Sequence, residues 1–521
     1  MRIWRSLLGG PSTTAELETR RRWVLALVVL AAAVVRFPLI GSARFGGDET
    51  HFFAVARNIA EFVDFPSVGP PITGGRAGLP GPLFYVITAV PLWIWSEPEA
   101  CMVLTALQGI ATVVLVYLAL RRPFGEGGAA VAGLLLACSP WCAFASDRIT
   151  TVVMFPAAVA LWCAARLREN PASRFVWLFV VACAVMPQFH LSCPVLWAPL
   201  LCLVLPTLPK WRWRWFVAGV VVSAALYAPY LNHELRTGWQ NSRAISAESG
   251  RAQRVDGSWR HVPLYALRNL TLDTTYFENT GYWGGPNETL NVRSLWSGTR
   301  IRPQHPLRII TLSASFALFL FALGAAAVVI VRRFRVGGWK TCVTSWGMAF
   351  VIAVAGNTAL IAYSGRQVFG HYVQPIQIFL FILYGAAGMV AMRHRWSRLP
   401  VLLLVLLVCA GGIESTWTIS KRLDARVGIA VERSVLDRIH RDGLEQGYAE
   451  SEPVQLEFGF YAALHWYQQV SRLVLHERVR LVGRAPHRRY RLQLRDDPPP
   501  SSWNREHAPS VFGPVSLFQL Q

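Results

Sequence analysis

Apolar residues in this chain come in long runs separated by short polar stretches, and the length of the runs sets the first expectation. A helix rises 1.5 Å per residue, so about 20 apolar residues cross the hydrocarbon of a bilayer. Runs of that kind lie at roughly 23–41, 100–120, 129–146, 150–167, 174–190, 191–207, 214–231, 307–331, 341–363, 372–392 and 399–413, which predicts an α-helical polytopic membrane protein with about eleven transmembrane helices. A further apolar run at 82–95 is short, aromatic and interrupted by Pro91, and fits either a span or an interfacial, re-entrant helix. After about residue 414 the pattern changes to helical periodicity near 427–442 and 459–474, alternating with strand-like runs at 453–458, 478–483 and 489–494. A small α/β domain is expected there, with Pro498, Pro499 and Pro500 leading into a final extended tail. No internal repeat or heptad array is apparent.

Composition agrees with the pattern, since 53% of the 521 residues are hydrophobic and only 16% charged, more apolar surface than a soluble domain hides. The net charge of +21 is almost all arginine, Lys210, Lys340 and Lys421 being the lysines. Such a balance suits nucleic acid or anionic lipid, but no nucleic-acid motif is present and the arginines cluster in short loops between apolar runs. That is the positive-inside pattern. If the 82–95 run does not cross, the basic loops around Arg121, Arg168, Arg212, Arg333 and Arg395 all fall on the side of the N-terminal arginines; if it does, all of them flip outside. The first arrangement is favoured.

The expected organisation is then a cytoplasmic N-terminus (1–22) leading into an uncleaved signal anchor, and a transmembrane domain (23–413) with two long outer loops. The first loop, 42–99, is acidic with interfacial helices; the second, 232–306, is rich in Gly, Asn and aromatics, and a C-terminal outer domain (414–521) follows. This places a multi-pass protein in the cell membrane. All nine cysteines lie in or beside apolar runs, where a thiol behaves as a small apolar group, so neither a disulfide framework nor a zinc site is expected.

Candidate chemistry gathers on the outer side. Asp48 and Glu49 are adjacent carboxylates beside a spanning helix, where charge is costly. They fit two readings, solvated residues at the start of a helix expected from Thr50, or a catalytic pair. Asp147 and Arg148 lie where the third run meets the fourth, either as a self-paired turn or as a second carboxylate and a cation held at the membrane edge. Arg57 and Arg76 lie in the acidic loop, able to bind an anion or to balance the carboxylates. Arg366 and His371, beside Tyr372, supply donors where a lipid phosphate would sit, the alternative being headgroup snorkelling. His190 is read as a lining residue only, and Arg36, within about a turn of the outer end of the first run, can snorkel and is assigned no chemistry.

In order along the chain, these residues resemble a family. Gly47-Asp48-Glu49-Thr50 follows the first span and leads into a helix with Ala56-Arg57-Asn58. After it come Pro80-Gly81-Pro82-Leu83-Phe84-Tyr85, then Ser139-Pro140-Trp141 and Asp147, then Gln188-Phe189-His190-Leu191-Ser192, then His371-Tyr372-Val373-Gln374-Pro375. The series, over about residues 20–400, resembles the phospholipid-carrier-dependent glycosyltransferases of the GT-C fold, which include protein O-mannosyltransferases and lipid A aminoarabinose transferases. The resemblance implies a polyprenyl-phosphate sugar as donor, a lipid, glycan or protein as acceptor, Asp48 as catalytic carboxylate and Glu49 as its neighbour. Two departures argue against the aminoarabinose reaction. His51 stands where that branch has an arginine, and Leu79 to Pro82 stand where it has a lysine, which leaves the donor phosphate to Arg57, Arg76, Arg148 or Arg366, with His51 lining the site.

The implied chemistry suits the layout. The carrier phosphate is a good leaving group that needs a cation rather than a strong acid, and the acceptor hydroxyl needs a base. One base opposite the phosphate implies a single inverting displacement, with Asp48 as base, Glu49 and Asp147 orienting acceptor or sugar, and Arg148, Arg366 and His371 on the phosphate. No cofactor is required, and a divalent metal on the carboxylates stays open. The rival reading is a transporter or flippase, whose ionisable groups should sit near mid-membrane and whose halves often repeat.

Overall fold

The computed structural model describes residues 14–40, 47–72, 77–144, 153–251, 270, 306–343, 345–364, 376–427, 438–439, 441–442, 445, 453–458, 480–482, 489–494, 510–512 and 515–519. The first helices are α1 (Thr14–Arg36), α2 (Gly47–Ala60), α3 (Leu83–Ala89), α4 (Pro98–Ala137) and α5 (Pro140–Phe144). They continue as α6 (Met154–Glu169), α7 (Phe175–Val185), α8 (Trp197–Val204), α9 (Trp213–Thr237) and α10 (Gln240–Arg251). The last are α11 (Pro306–Val343), α12 (Trp346–Ser364), α13 (Gln377–Leu380), α14 (Ile382–Arg393) and α15 (Arg395–Val427). Contacts divide the chain into two units, residues 1–37, 67–84 and 105–416 in the first and residues 38–66, 85–104 and 417–521 in the second.

The first unit is helical. Across the whole chain, six described segments are long and apolar enough to cross a membrane: Thr14–Leu39, Pro98–Ala137, Cys193–Lys210, Trp213–Thr237, Ile310–Gly338 and Arg395–Thr418. Shorter apolar helices cover Leu83–Trp93, Phe175–Gln188, Trp346–Leu360 and Gln377–Arg393. The chain is thus a multi-pass membrane protein. The run at 82–95 forms only a short helix, too short for the ~20 residues a span needs.

Two of the long helices are broken at a glycine of positive φ, and one of them is folded back on itself. Gly125 breaks α4 with φ +74, a conformation that an L side chain resists, and a Cβ on Gly133 would lie 3.4 Å from Tyr117 Cβ. The runs at 100–120 and 129–146 are therefore arms of one hairpin, with Arg121 and Arg122 just before its tip. Gly338 makes the same kind of break in α11. The second arm of α4 meets α14 backbone to backbone, since a Cβ on Gly388 would fall 2.8 Å from Gly128 Cα. Small residues permit such close crossings between membrane helices, where dispersion and not water exclusion drives association.

One expectation is corrected. Arg36 does not snorkel; it is 2% exposed and donates to the Ala137 carbonyl at 3.0 Å. Within the stretch from 232, α9 runs on to Thr237 and α10 follows after Gly238 and Trp239, both at positive φ. The rest of that loop, apart from Leu270, lies outside the described residues up to Pro306.

The second unit holds α2, the 3-10 turn Val90–Trp93 and a five-stranded sheet of β1 (Pro453–Phe458), β2 (Arg480–Val482), β3 (Arg489–Leu494), β4 (Ser510–Phe512) and β5 (Val515–Gln519). The order is β2-β1-β3-β5-β4, with β1 parallel to β2 and β3 and the other pairs antiparallel. Leu456 pairs with Tyr490, and Leu492 with both Phe458 and Leu517. With side chains alternating along a strand, that register sets the apolar positions of three strands on one face. The three expected strands are present, and the tail adds a fourth and fifth. The helix expected at 459–474 lies outside the described residues; near 427–442, helix is seen at residues 438–439 and 441–442.

Candidate active site

The acidic motif opens α2. The helix starts at Gly47, not at Thr50, so Asp48 and Glu49 stand within its first turn. The free N–H groups and the positive dipole end of a first turn stabilise carboxylates there, and backbone position is what the structure describes for these two residues. His51 is three residues after Asp48 and Phe52 four, the spacings that share a helix face. His51 Nε2 lies 3.3 Å from the Tyr85 hydroxyl, the two rings meet edge-on, and Phe52 packs against the same tyrosine. Tyr85 is buried, which raises the pKa of its phenol above the ordinary value and keeps it a neutral hydroxyl.

The far end of α2 is closed. Val63 N donates to Asn58 O at 2.8 Å and Phe62 N to Ile59 O at 3.1 Å, the paired bonds of a Schellman stop, with Phe62 at φ +58 where glycine is usual. Phe62 stacks on Trp93, whose indole N–H donates to Ala60 O at 3.1 Å. Residues 85–93 thus lie beside α2 in the same direction, Tyr85 against His51 and Trp93 against Ala60. Phe62, Phe65, Trp93 and Ile94 leave an exposed apolar ridge, as an interfacial helix requires. Arg57 pairs with Glu61, one turn on, at 2.5 Å.

The first unit carries a second polar cluster. Residues 69–72 pair antiparallel with 77–79, with Gly69 N to Leu79 O at 2.9 Å and Leu79 N to Pro70 O at 2.9 Å. Asn241 docks this pairing. Gly78 N donates to Asn241 Oδ1 at 2.8 Å, and Asn241 Nδ2 donates to Gly78 O at 3.0 Å and to the Tyr230 hydroxyl at 3.2 Å. The fully buried Glu234 carboxylate accepts the first N–H groups of α10, from Asn241 and Ser242, at 3.2 Å each. It caps that helix from the preceding one. Arg76 lies outside the described residues.

Two motifs far apart in sequence meet in the same unit. Gln188 Oε1 accepts the Leu83 N–H at 3.2 Å at the start of α3, and Phe189 packs edge-on against Phe84. Gly81, at φ +132, has Gln188 Oε1 only 2.2 Å from where a Cβ would stand. His190 is drawn into its own turn: Nδ1 meets the Ser192 hydroxyl at 2.6 Å and accepts the Ser192 N–H at 3.2 Å.

Asp147, Arg148, Arg366, His371 and Tyr372 lie outside the described residues. Among the described residues no group of three His, Cys, Asp or Glu side chains could hold a metal ion. Tyr85, Gln188, Asn241 and Glu234 were not singled out individually. Their signals were weak: Tyr85 and Gln188 stood inside motifs without roles, and Asn241 and Glu234 lay where a long loop was expected to begin.

No protein-family profile matches the chain, and no curated protein sequence matches it. The fold does match. The crystal structure of ArnT from Cupriavidus metallidurans bound to undecaprenyl phosphate aligns with a TM-score of 0.56 at 14% identity, over 95% of this chain and 98% of that one. The apo form of the same protein gives 0.51 at 16% identity, over 95% and 97%. Archaeoglobus fulgidus oligosaccharyltransferase aligns at 0.47 and 14% identity, over 89% of this chain and 62% of that one. Over 95% of its length, this chain shares the fold of ArnT.

Proposed function

We propose that the chain transfers a sugar from a polyprenyl-phosphate carrier to an acceptor hydroxyl at the outer face of the membrane. What carries the reading is the first outer helix: Asp48 stands in its first turn, on the face where His51 meets Tyr85. The shared fold with a protein that binds undecaprenyl phosphate supports the carrier.

In this scheme Asp48 is the base. Placed within hydrogen-bond reach, a carboxylate takes the acceptor proton as attack develops, an effect of about 10²–10⁴-fold. Cations from Arg76, Arg148, Arg366 and His371 hold the charge that grows on the leaving phosphate, and Glu49 and Asp147 orient sugar or acceptor. Arg57 is a weaker phosphate candidate, since Glu61 already holds it. His51, within hydrogen-bond distance of the Tyr85 hydroxyl, lines the site. The eleven apolar runs act as crossings, the arginine-rich loops face the cytoplasm, and the acidic loop and C-terminal domain face outward.

The test is transfer from a panel of polyprenyl-phosphate sugars to hydroxyl acceptors by purified protein in nanodiscs, with the anomeric configuration of the product read by NMR. Transfer with inversion supports the scheme. Retention of configuration, or carrier movement across the bilayer without transfer, overturns it.

A further inference from the structure

Arg36 is a guanidinium inside a membrane protein with no carboxylate partner among the described residues. It is 2% exposed, and its hydrogen bonds run from Nη1 to the carbonyls of Ala32 at 3.3 Å and Ala137 at 3.0 Å. An unpaired buried charge is costly. The offset comes from a helix end: Ala137 is the last residue of α4, and a helix C-terminus carries roughly half a negative charge on carbonyls without a partner inside the helix. The Ala137 carbonyl therefore stands where a carboxylate would otherwise pair with Arg36, which ties the end of α1 to the end of α4.

The chain beyond Ala137 is held on the other side as well. Cys138 N returns to Leu134 O at 2.9 Å, and Cys142 N and Ala143 N both reach Ser139 O, at 3.1 and 3.0 Å, as α5 begins at Pro140. A Cβ on Gly412 would fall 2.2 Å from Cys138 O, so α15 abuts the turn directly. Cys142 and Ala143 are fully buried. In sequence, Asp147 and Arg148 follow three and four residues after Phe144.

We propose that Arg36 is a positioning residue: by clamping the end of α4 it fixes the turn from Ala137 to Phe144, from which the segment carrying Asp147 and Arg148 departs. Its catalytic consequence rests on the reading of Asp147 as part of the transferase site; the clamp itself does not. Arg36→Met keeps the length of the side chain and removes charge and donors. Replacing an unpaired buried charge with an apolar side chain should leave stability unchanged or raised.

The experiment combines hydrogen–deuterium exchange with turnover, on the full chain in nanodiscs. For Arg36→Met the expected result is a melting temperature not below wild type, amide exchange across 138–144 at least about tenfold faster, and α6 and α14 unchanged. With a donor that the wild type uses, kcat falls about tenfold or more while the donor KM stays within about threefold, since a small misplacement costs turnover before binding. Arg36→Lys, which keeps one donor within reach of a carbonyl, should restore part of both, and decides by the same readouts if the Met variant does not fold. Faster exchange with wild-type turnover supports the clamp and removes Asp147 from the site. Wild-type exchange across 138–144 overturns the proposal.

Discussion

The side-chain amide of Asn241 grips Gly78 by both of its backbone groups, accepting the N–H at 2.8 Å and donating to the carbonyl at 3.0 Å across 163 residues of sequence. The asparagine is nearly buried, so neither Gly78 group has water as a ready substitute. Asn241→Ala is expected to cost about 2–4 kcal/mol, through three lost side-chain bonds, two of which leave the Gly78 backbone groups stranded. Thermal melts would show the cost, and limited proteolysis should open first within 69–79. Asn241→Asp should do no better, because a carboxylate would face the Gly78 carbonyl.

Gly81 and Gln188 should behave as a coupled pair. Gly81→Ala places a methyl in the space of Gln188 Oε1 and forces φ +132 on an L residue, at an expected cost of about 2–5 kcal/mol. Gln188→Ala removes the clash but not the backbone strain. The double variant should thus recover part of the loss, and a double-mutant cycle on melting temperature should show coupling above about 0.5 kcal/mol.

At the end of α2, strain and stacking oppose each other. Phe62 sits at φ +58, which costs a non-glycine residue about 1–2 kcal/mol, and its stack on Trp93 returns about 0.5–1.5 kcal/mol. Phe62→Gly should be near neutral in the wild type. In a Trp93→Ala background the same change should stabilise by about 1 kcal/mol, measured by thermal or chemical denaturation.

Much of the architecture is legible in the sequence because a bilayer imposes a length on apolar runs: each of the eleven runs contains helix. The acidic helix was legible too, from two carboxylates beside a span. Partners were not. Arg36 looks like any arginine near the end of an apolar run, and only the carbonyl end of a helix a hundred residues away reveals that it is buried. Asn241 falls in a stretch that is polar by composition, so periodicity reads it as loop, while its work is done on a glycine 163 residues earlier. The closing hairpin of the sheet was hidden for another reason, since β4 is only three residues long and carries little alternation.

The central claim is that Asp48 is the base of a glycosyl transfer, and turnover of Asp48→Asn against wild type tests it most directly, on a polyprenyl-phosphate sugar that the wild type uses. Asparagine keeps the size and cannot take the proton. With the variant folded and its donor KM within about threefold of wild type, kcat should fall about 10²–10⁴-fold. A folded Asp48→Asn protein that turns over as fast as wild type would contradict the account.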